Sequence, residues 1–180
     1  MEESELIKIR KEKIAAIRAA GIDLYPNEVR VGNTSAELRA RFGTLDNDAL
    51  AEIEETFSLA GRIMAVRNFG KASFISIQDR KGRLQGFIQK KTLPEADYNL
   101  FRRLDVGDII YIEGKIFKTK TGELTIEARQ IRLLAKALHP LPEKWHGLTD
   151  VETRYRQRHL DLIMNPEVRE VFYRRSRIIK

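Results

Sequence analysis

The order of predicted strands and helices between Thr56 and Leu134 constrains the fold of this 180-residue chain more than any other feature. Apolar and polar residues alternate there in short runs, which is the pattern of strands buried on one face. Pro94 opens a single helical pattern among them. The predicted order is three strands, one helix and two strands, at residues 57–66, 71–79, 83–89, 94–104, 109–117 and 123–134.

A helix between the third and fourth of five strands favours the OB-fold, a five-stranded Greek-key barrel. Gly61, Gly86 and Gly114 lie inside predicted strands, where glycine suits the bends and bulges of a barrel. Another small β-barrel or an α+β sheet is the alternative. We therefore predict a mainly β fold with flanking helices, in which residues 1–55 form a helical extension, 56–135 the barrel, and 136–180 a linker and the start of a second domain.

Helical signals flank the barrel on both sides. Residues 4–20 predict a basic helix that ends before Gly21, and Thr34 with Glu37 has the form of a capping box. Asp150 and Asn165 precede two further helical patterns. The last pattern has no stop signal before the chain ends, so we expect the sequence to be a piece of a longer protein.

The second predicted strand, KASFISIQD, places an aromatic residue where a core does not need one. Ile75 and Ile77 share one face, and Phe74, Ser76 and Gln78 share the other. If the isoleucines form the core, Phe74 lies on the outer face, where a nucleic-acid base could stack on it. The alternative is that Phe74 packs under a neighbouring loop or helix.

The neighbouring strands add polar side chains to the same outer face. If Leu84, Gly86 and Ile88 of strand three point inward, its outward residues are Arg83, Gln85, Phe87 and Gln89. If Leu59 and Ile63 of strand one point inward, its outward residues are Arg62 and Met64. A glutamine amide can both donate to and accept from a base edge, so Gln85 is a candidate for base reading. Arg62 and Arg67 are candidates for contacts to phosphates or base edges. A solvated strand also shows polar residues, and spacing alone does not separate these readings.

Composition limits the possible partners. The net charge of +7 favours a polyanion. Because the chain has no Cys, it has no disulfide or thiolate zinc site, and its three His lack metal-ligand spacing. No apolar stretch predicts a membrane span or a signal peptide. We expect no metal site, no membrane contact and a cytoplasmic location.

Three segments resemble the lysyl-tRNA synthetases of the class II type. They are GKASFISIQD at 70–79, FKTKTGELTI at 117–126 and LPEKWHGLTDVETRYRQRHLDLI at 141–163. The first is similar to aspartyl and asparaginyl synthetases as well, whereas the other two favour the lysyl branch. Residues 166–180 resemble the start of motif 1, which builds the dimer interface in this class.

The resemblance implies roles for five residues of an anticodon-binding barrel. Phe74 matches the aromatic that stacks on an anticodon base, and Gln85 matches the residue that reads the central uracil. Arg62 and Arg67 match basic residues near the anticodon loop. Gln130 stands where the family often has Glu, which puts a contact to the first anticodon base in question.

The resemblance also implies a partner and a reaction. The partner is the tRNA(Lys) anticodon stem-loop, and the full-length enzyme is a homodimer that joins lysine to tRNA(Lys) using ATP and Mg²⁺. Motifs 2 and 3 would lie beyond Lys180, so we expect no catalytic residue, no cofactor and no ligase activity in this chain alone. The alternatives are a stand-alone single-strand-binding OB-fold protein and an aspartyl or asparaginyl synthetase.

Overall fold

A computed structural model describes residues 4–142 and 148–180. The chain divides into two compact units, residues 1–140 and 141–180, which are described separately below. Part of the third resemblance segment, residues 143–147, lies outside the described residues.

The first unit contains a closed barrel of five strands. Its strands are β1 (Phe57–Phe69), β2 (Ala72–Gln78), β3 (Arg83–Gln89), β4 (Ile109–Lys118) and β5 (Leu124–Ala135). They close in the order β1-β2-β3-β5-β4, with β1 pairing β4, and every pair is antiparallel except β3 with β5. A helix follows β3, as predicted. The mainly β prediction and the OB-fold are confirmed.

The predicted alternation of β2 is also observed. Ile75 and Ile77 are 1% and 0% exposed, and they lie in the core beside Leu59, Ile63 and Leu84. Phe74 points to the other side of the strand and is half-buried. The isoleucines therefore form the core, and Phe74 lies on the outer face.

Met64, which was predicted to point outward, is buried. It is 1% exposed, it lies where the register between β1 and β2 shifts between Ile63 and Ala65, and it is not among the residues of the main core cluster. A bulge adds one residue to a strand and exchanges the faces of the residues that follow it. The alternation of β1 consequently changes phase just before Val66.

Gly114 is required by a close approach of two strands. A β-carbon at this position would lie 1.7 Å from the carbonyl oxygen of Glu127. The β4–β5 register also shifts between Glu113 and Gly114, so the predicted bulge glycine occupies a real irregularity.

From residue 4 onward, the first unit has four helices: α1 (Glu5–Ala19), α2 (Ser35–Phe42), α3 (Asn47–Ala51) and α4 (Glu95–Phe101). Thr34 and Glu37 form the predicted capping box at the start of α2. Leu38 and Phe42 of α2 are buried in the barrel core. The turn before β3 is tied to α2, because the Asp79 carboxylate accepts from the backbone N–H of Ser35 at 2.6 Å and from its hydroxyl at 2.7 Å.

A cluster of charged side chains anchors α1 to the barrel. The anchor cluster consists of Arg10, Lys13, Asp105, Asp108 and Lys136. Lys136 and Asp108 are fully buried and lie 2.8 Å apart, while Asp105 accepts from Lys13 at 2.5 Å and from Lys136 at 2.6 Å. Arg10 donates to the backbone oxygens of Val106, Ala137 and His139. Two basic residues of α1, and Lys136 directly after β5, are therefore structural.

In the described part of the second unit, residues 141–142 and 148–180, there are three helices: α5 (Val151–Arg156), α6 (Arg158–Met164) and α7 (Pro166–Ile179). Asp150 caps α5, as predicted, by accepting from the N–H of Thr153 at 2.7 Å. The pattern from Asp150 is broken at Gln157, whose φ of −120° and ψ of 60° are not helical. The buried carboxylate of Asp161 then pairs with Arg154 and Arg158.

Candidate nucleic-acid interface

One row of side chains runs across four strands on the outer face of the barrel. Arg67 of β1 pairs with Phe74 of β2, Phe74 with Phe87 of β3, and Phe87 with Glu127 of β5. Residues directly opposite one another share a face of the sheet. Two rings therefore lie between a cation and an anion.

More aromatic rings of this face are in contact with one another than the sequence predicted. Phe74 lies 4.7 Å from Phe87 and 6.0 Å from Phe69 between ring centroids, and Phe87 lies 5.7 Å from Phe117. The surface formed by these four rings with Arg67 and Gln85 is called the aromatic face below. Phe74 is thus the second ring of a line of four.

The amide of Gln85 is held between two partners. Arg67 Nη2 donates to Gln85 Oε1 at 3.1 Å, and Gln85 Nε2 donates to Thr125 Oγ1 at 3.1 Å. The Thr125 hydroxyl donates its own proton to the carbonyl oxygen of Glu123 at 3.0 Å. Since that hydroxyl proton is used, Thr125 Oγ1 is an acceptor for Gln85.

Arg67 and Gln85 were predicted as site residues, and the structure brings both next to Phe74. Gln85 pairs with Ser76 across β2–β3, one row away from Phe74 and Phe87. Arg67 is exposed and lies directly opposite Phe74. A cation, an amide and an aromatic ring therefore share one small surface.

Arg62 lies in a different environment from Arg67. It is half-buried, and its Nη1 donates to the backbone oxygen of Gly107 at 2.7 Å. Burial lowers the pKa of the Arg62 guanidinium, and the charge of Asp108 opposes that change. Arg62 precedes Arg67 by five residues, about 16 Å along an extended strand. Its guanidinium is engaged by the loop that also carries part of the anchor cluster.

Gln130 also lies away from the line of rings. It is opposite Glu113 on β4 and follows Glu127 by three residues along β5. In the amide orientation that satisfies its neighbours, its oxygen accepts from Arg132 Nη2 at 3.2 Å. Among the described residues, no hydrogen bond links Gln130 to Phe74 or Gln85.

Sequence reasoning missed two rings of this surface, Phe69 and Phe117, and also Thr125, the buried partner of Gln85. The prediction ended the first strand at Val66, whereas β1 continues to Phe69, two residues past Arg67 on the same face. The contact of Thr125 with Gln85 depends on the parallel β3–β5 pairing, which no local pattern reveals.

No group of three or more His, Asp or Glu side chains among the described residues is arranged to hold a metal ion. None of the described helices has the length and apolar character needed to span a membrane.

Comparison with known proteins identifies the barrel first. Residues 57–134 match the family model of the tRNA anti-codon type, described as an OB-fold nucleic acid binding domain. These limits coincide with β1 to β5 almost residue for residue.

Whole-chain comparison then extends the relationship to both units. The chain is 48% identical over 178 residues to a lysine–tRNA ligase of Moorella thermoacetica, and 49% identical over 182 residues to one of Xylella fastidiosa. Each alignment covers 99% of the chain. The chain is homologous to lysine–tRNA ligases. The predicted family resemblance is confirmed, and the comparisons support neither the aspartyl or asparaginyl alternative nor the stand-alone one.

The relationship covers a part of those proteins. The chain spans 35% of the Moorella ligase and 36% of the ligase of Thioalkalivibrio sulfidiphilus, to which it is 50% identical. It matches the N-terminal portion of such ligases.

Proposed function

We propose that the aromatic face binds the anticodon loop of tRNA(Lys), with an anticodon base stacked on Phe74 and the central uracil read by Gln85. The observation that carries this proposal is that Arg67 and Thr125 fix the side-chain amide of Gln85 next to a line of four aromatic rings. Sequence-tolerant stacking and edge-specific hydrogen bonds are the two means by which proteins recognise single-stranded RNA.

The polarity of the Gln85 amide follows from its partners. Arg67 can only donate, so it requires the amide oxygen on its side, and Thr125 Oγ1 accepts, so it requires the amide nitrogen. Exchanging the two ends of the amide would place donor against donor and acceptor against acceptor. Arg67 and Thr125 therefore act as positioning residues for Gln85.

A positioned amide can distinguish uracil from cytosine. After its contacts with Arg67 and Thr125, Gln85 retains one N–H and one oxygen lone pair. For a base held in one pose by stacking, uracil offers an acceptor at O4 and a donor at N3, whereas cytosine exchanges the two. A polar group left mispaired in a dry site is costly, so cytosine is rejected.

Electrostatics supports an RNA partner of any sequence. The chain has a net charge of +7, and Arg67 and Lys115 lie in the row that contains Phe74. Binding to a stem-loop should weaken steeply as salt rises, because bound cations release condensed counterions from the phosphates. Affinity that stays constant between low and physiological salt would contradict this part of the proposal.

The reaction belongs to the proposal as well. The relatives are lysine–tRNA ligases about three times as long as the matched part. We infer that the complete protein is a cytoplasmic homodimer that attaches lysine to tRNA(Lys) with ATP and Mg²⁺, and that this 180-residue chain supplies recognition without catalysis. Lysine-dependent pyrophosphate exchange by the purified chain should not exceed background.

Titration with an anticodon stem-loop tests the binding proposal. Phe74→Ala should weaken binding by about 1–3 kcal/mol, since it removes a base platform. Tyr25→Ala is the matched control, because Tyr25 is an aromatic residue 61% exposed outside the strands. Equal affinity of Phe74→Ala and Tyr25→Ala would refute binding at this face.

A further inference from the structure

A cleft of about 650 Å³ adjoins the aromatic face where β1 ends, β2 begins and β3 ends. Its volume is within the range of small-molecule sites. Six residues line it, namely Phe69, Lys71, Ala72, Gln89, Lys90 and Lys91. Three of these side chains are cations and none is a carboxylate.

Phe69 is the aromatic wall of this cleft. Its side chain is 64% exposed, which is unusual for a phenylalanine at the end of a strand. Its ring meets the ring of Phe74 edge to face, with centroids 6.0 Å apart and an angle of 80°. Phe69 therefore continues the line of rings past Phe74 while leaving its own face open.

The residue next to this ring in the cleft has a small side chain. Phe69 pairs with Ala72 across β1–β2, and Ala72 pairs with Gln89 across β2–β3. Directly opposite residues share a face of the sheet, so the small side chain of Ala72 is the neighbour of the ring. A planar group can approach Phe69 from that side.

The three lysines are available to an anion. Lys71, Lys90 and Lys91 are all exposed. In the part of the chain that the structure describes, no side-chain hydrogen bond or ion pair involves any of them. The backbone N–H of Lys90 donates to the backbone oxygen of Lys71 at 3.2 Å, which holds the two chain segments together.

We propose that this cleft binds a second RNA nucleotide, the immediate neighbour of the one stacked on Phe74. Its base packs on Phe69, and its phosphate lies among Lys71, Lys90 and Lys91. An aromatic ring with adjacent cations is the usual arrangement for single-stranded nucleic acid, and an OB-fold contacts several successive nucleotides. The proposal rests on the proposed function, since the chain that fills the cleft is the one bound at the aromatic face.

The base contact can be tested with stem-loops that lack one loop base at a time. Phe69→Ala should weaken binding of the intact loop about five- to fiftyfold. For the one loop that lacks the base stacked on Phe69, Phe69→Ala should not weaken binding any further, because that contact is already absent. The same series with Phe74→Ala identifies the partner of Phe74, and the two positions should be adjacent. Such a double-mutant cycle isolates each ring–base pair.

The phosphate contact has a separate readout. Replacing Lys71, Lys90 and Lys91 with Gln should reduce the slope of log affinity against log salt by about 0.7 for each phosphate that these lysines neutralise. The control replaces Lys8, Arg18 and Arg30 with Gln, which removes the same charge from exposed positions in α1 and the segment before α2. A slope equal to that of the control would overturn the phosphate contact.

Two outcomes separate this inference from the proposed function. If Phe74→Ala weakens binding while Phe69→Ala binds every loop like the wild type, the cleft is not a nucleotide site and the aromatic face remains one. If the wild type does not bind the stem-loop, both proposals fail. Thermal melting of Phe69→Ala should match the wild type, because Phe69 is largely exposed.

Discussion

Arg62 and Arg67 belong to the same strand, yet their guanidinium groups lie in different surroundings. Arg62 is half-buried and donates to the backbone oxygen of Gly107 at 2.7 Å, whereas Arg67 is exposed and donates to Gln85 at 3.1 Å. The first satisfies a backbone carbonyl of the fold, and the second displays its charge beside aromatic rings. The role of Arg62 in RNA binding stays a prediction, and its guanidinium already holds one backbone carbonyl of the fold, whereas that of Arg67 holds a side chain of the aromatic face.

The regions around Arg62 and Arg67 differ in the same way. The anchor cluster holds cations against Asp105 and Asp108, with Lys136 fully buried. The cleft beside the aromatic face holds exposed lysines, and its lining contains no carboxylate. We expect substitutions in the anchor cluster to change stability and those at the aromatic face to change RNA affinity.

The largest effect is expected from Lys136→Met, which should reduce the free energy of unfolding by about 3–5 kcal/mol, because it removes the buried cation that is paired with the buried Asp108 carboxylate. Chemical denaturation measures this loss. Lys13→Met is the control, since Lys13 is 31% exposed and its pair with Asp105 should contribute about 1 kcal/mol or less. Equal losses for both variants would contradict the distinction between buried and exposed pairs.

The next largest loss of stability is expected on the buried face of β2, and a substitution on the outer face of the same strand is the comparison. Ile75→Ala should cost about 2–5 kcal/mol of stability, because it leaves a cavity in the core. Phe74→Ala should cost about 0.5–1.5 kcal/mol, since it removes ring contacts with Phe87 and Phe69 on the outer face. Thermal melts of the two variants give the ranking. A Phe74→Ala variant as unstable as Ile75→Ala would place Phe74 in the core.

Substitutions of Arg62 and Arg67 test the comparison between these two residues directly. Arg62→Gln should lower stability by about 1.5–3 kcal/mol, because its charged hydrogen bond to Gly107 is lost, and it should leave the salt dependence of RNA binding nearly unchanged. Arg67→Gln should leave stability nearly unchanged and should flatten the salt dependence. Denaturation and stem-loop titrations at several salt concentrations measure both quantities. If Arg62→Gln flattens the slope as much as Arg67→Gln, both arginines contact the RNA.

The smallest effect is a pH dependence of the anchor cluster. Burial alone would raise the pKa of Asp105, but hydrogen bonds from Lys13 and Lys136 outweigh it and hold that pKa below its usual value. A lowered pKa in the folded state adds stability above the unfolded pKa of about 3.9, and this stability is lost as pH falls through the lower folded value. The stability of the wild type should therefore fall more than that of Asp105→Asn as the pH is lowered below about 4. Parallel curves for the two proteins would contradict a role for this carboxylate.

Local patterns predicted what depends on single strands and turns. The alternation around Ile75 and Ile77 identified the buried face of β2, and Thr34 with Glu37 identified the start of α2. These features depend on residues close together in the sequence, where side-chain periodicity and capping act.

Contacts between distant residues could not be predicted in this way. The bond between Arg62 and Gly107 joins residues 45 positions apart, and the bond between Gln85 and Thr125 joins residues 40 apart. Both require the closure of the barrel, which no local pattern specifies.

The central claim is that Gln85, with its amide oriented by Arg67 and Thr125, reads one base of the loop. Its most direct test compares the affinities of stem-loops with uracil and with cytosine at the centre of the anticodon, for the wild type, Gln85→Ala and Thr125→Val. The wild type should prefer uracil about tenfold to a hundredfold, since a well-placed pair of hydrogen bonds discriminates by about 1–3 kcal/mol. Gln85→Ala should lose that preference, and Thr125→Val should reduce it by freeing the amide to rotate. An undiminished preference for uracil in Gln85→Ala would show that another residue reads the base.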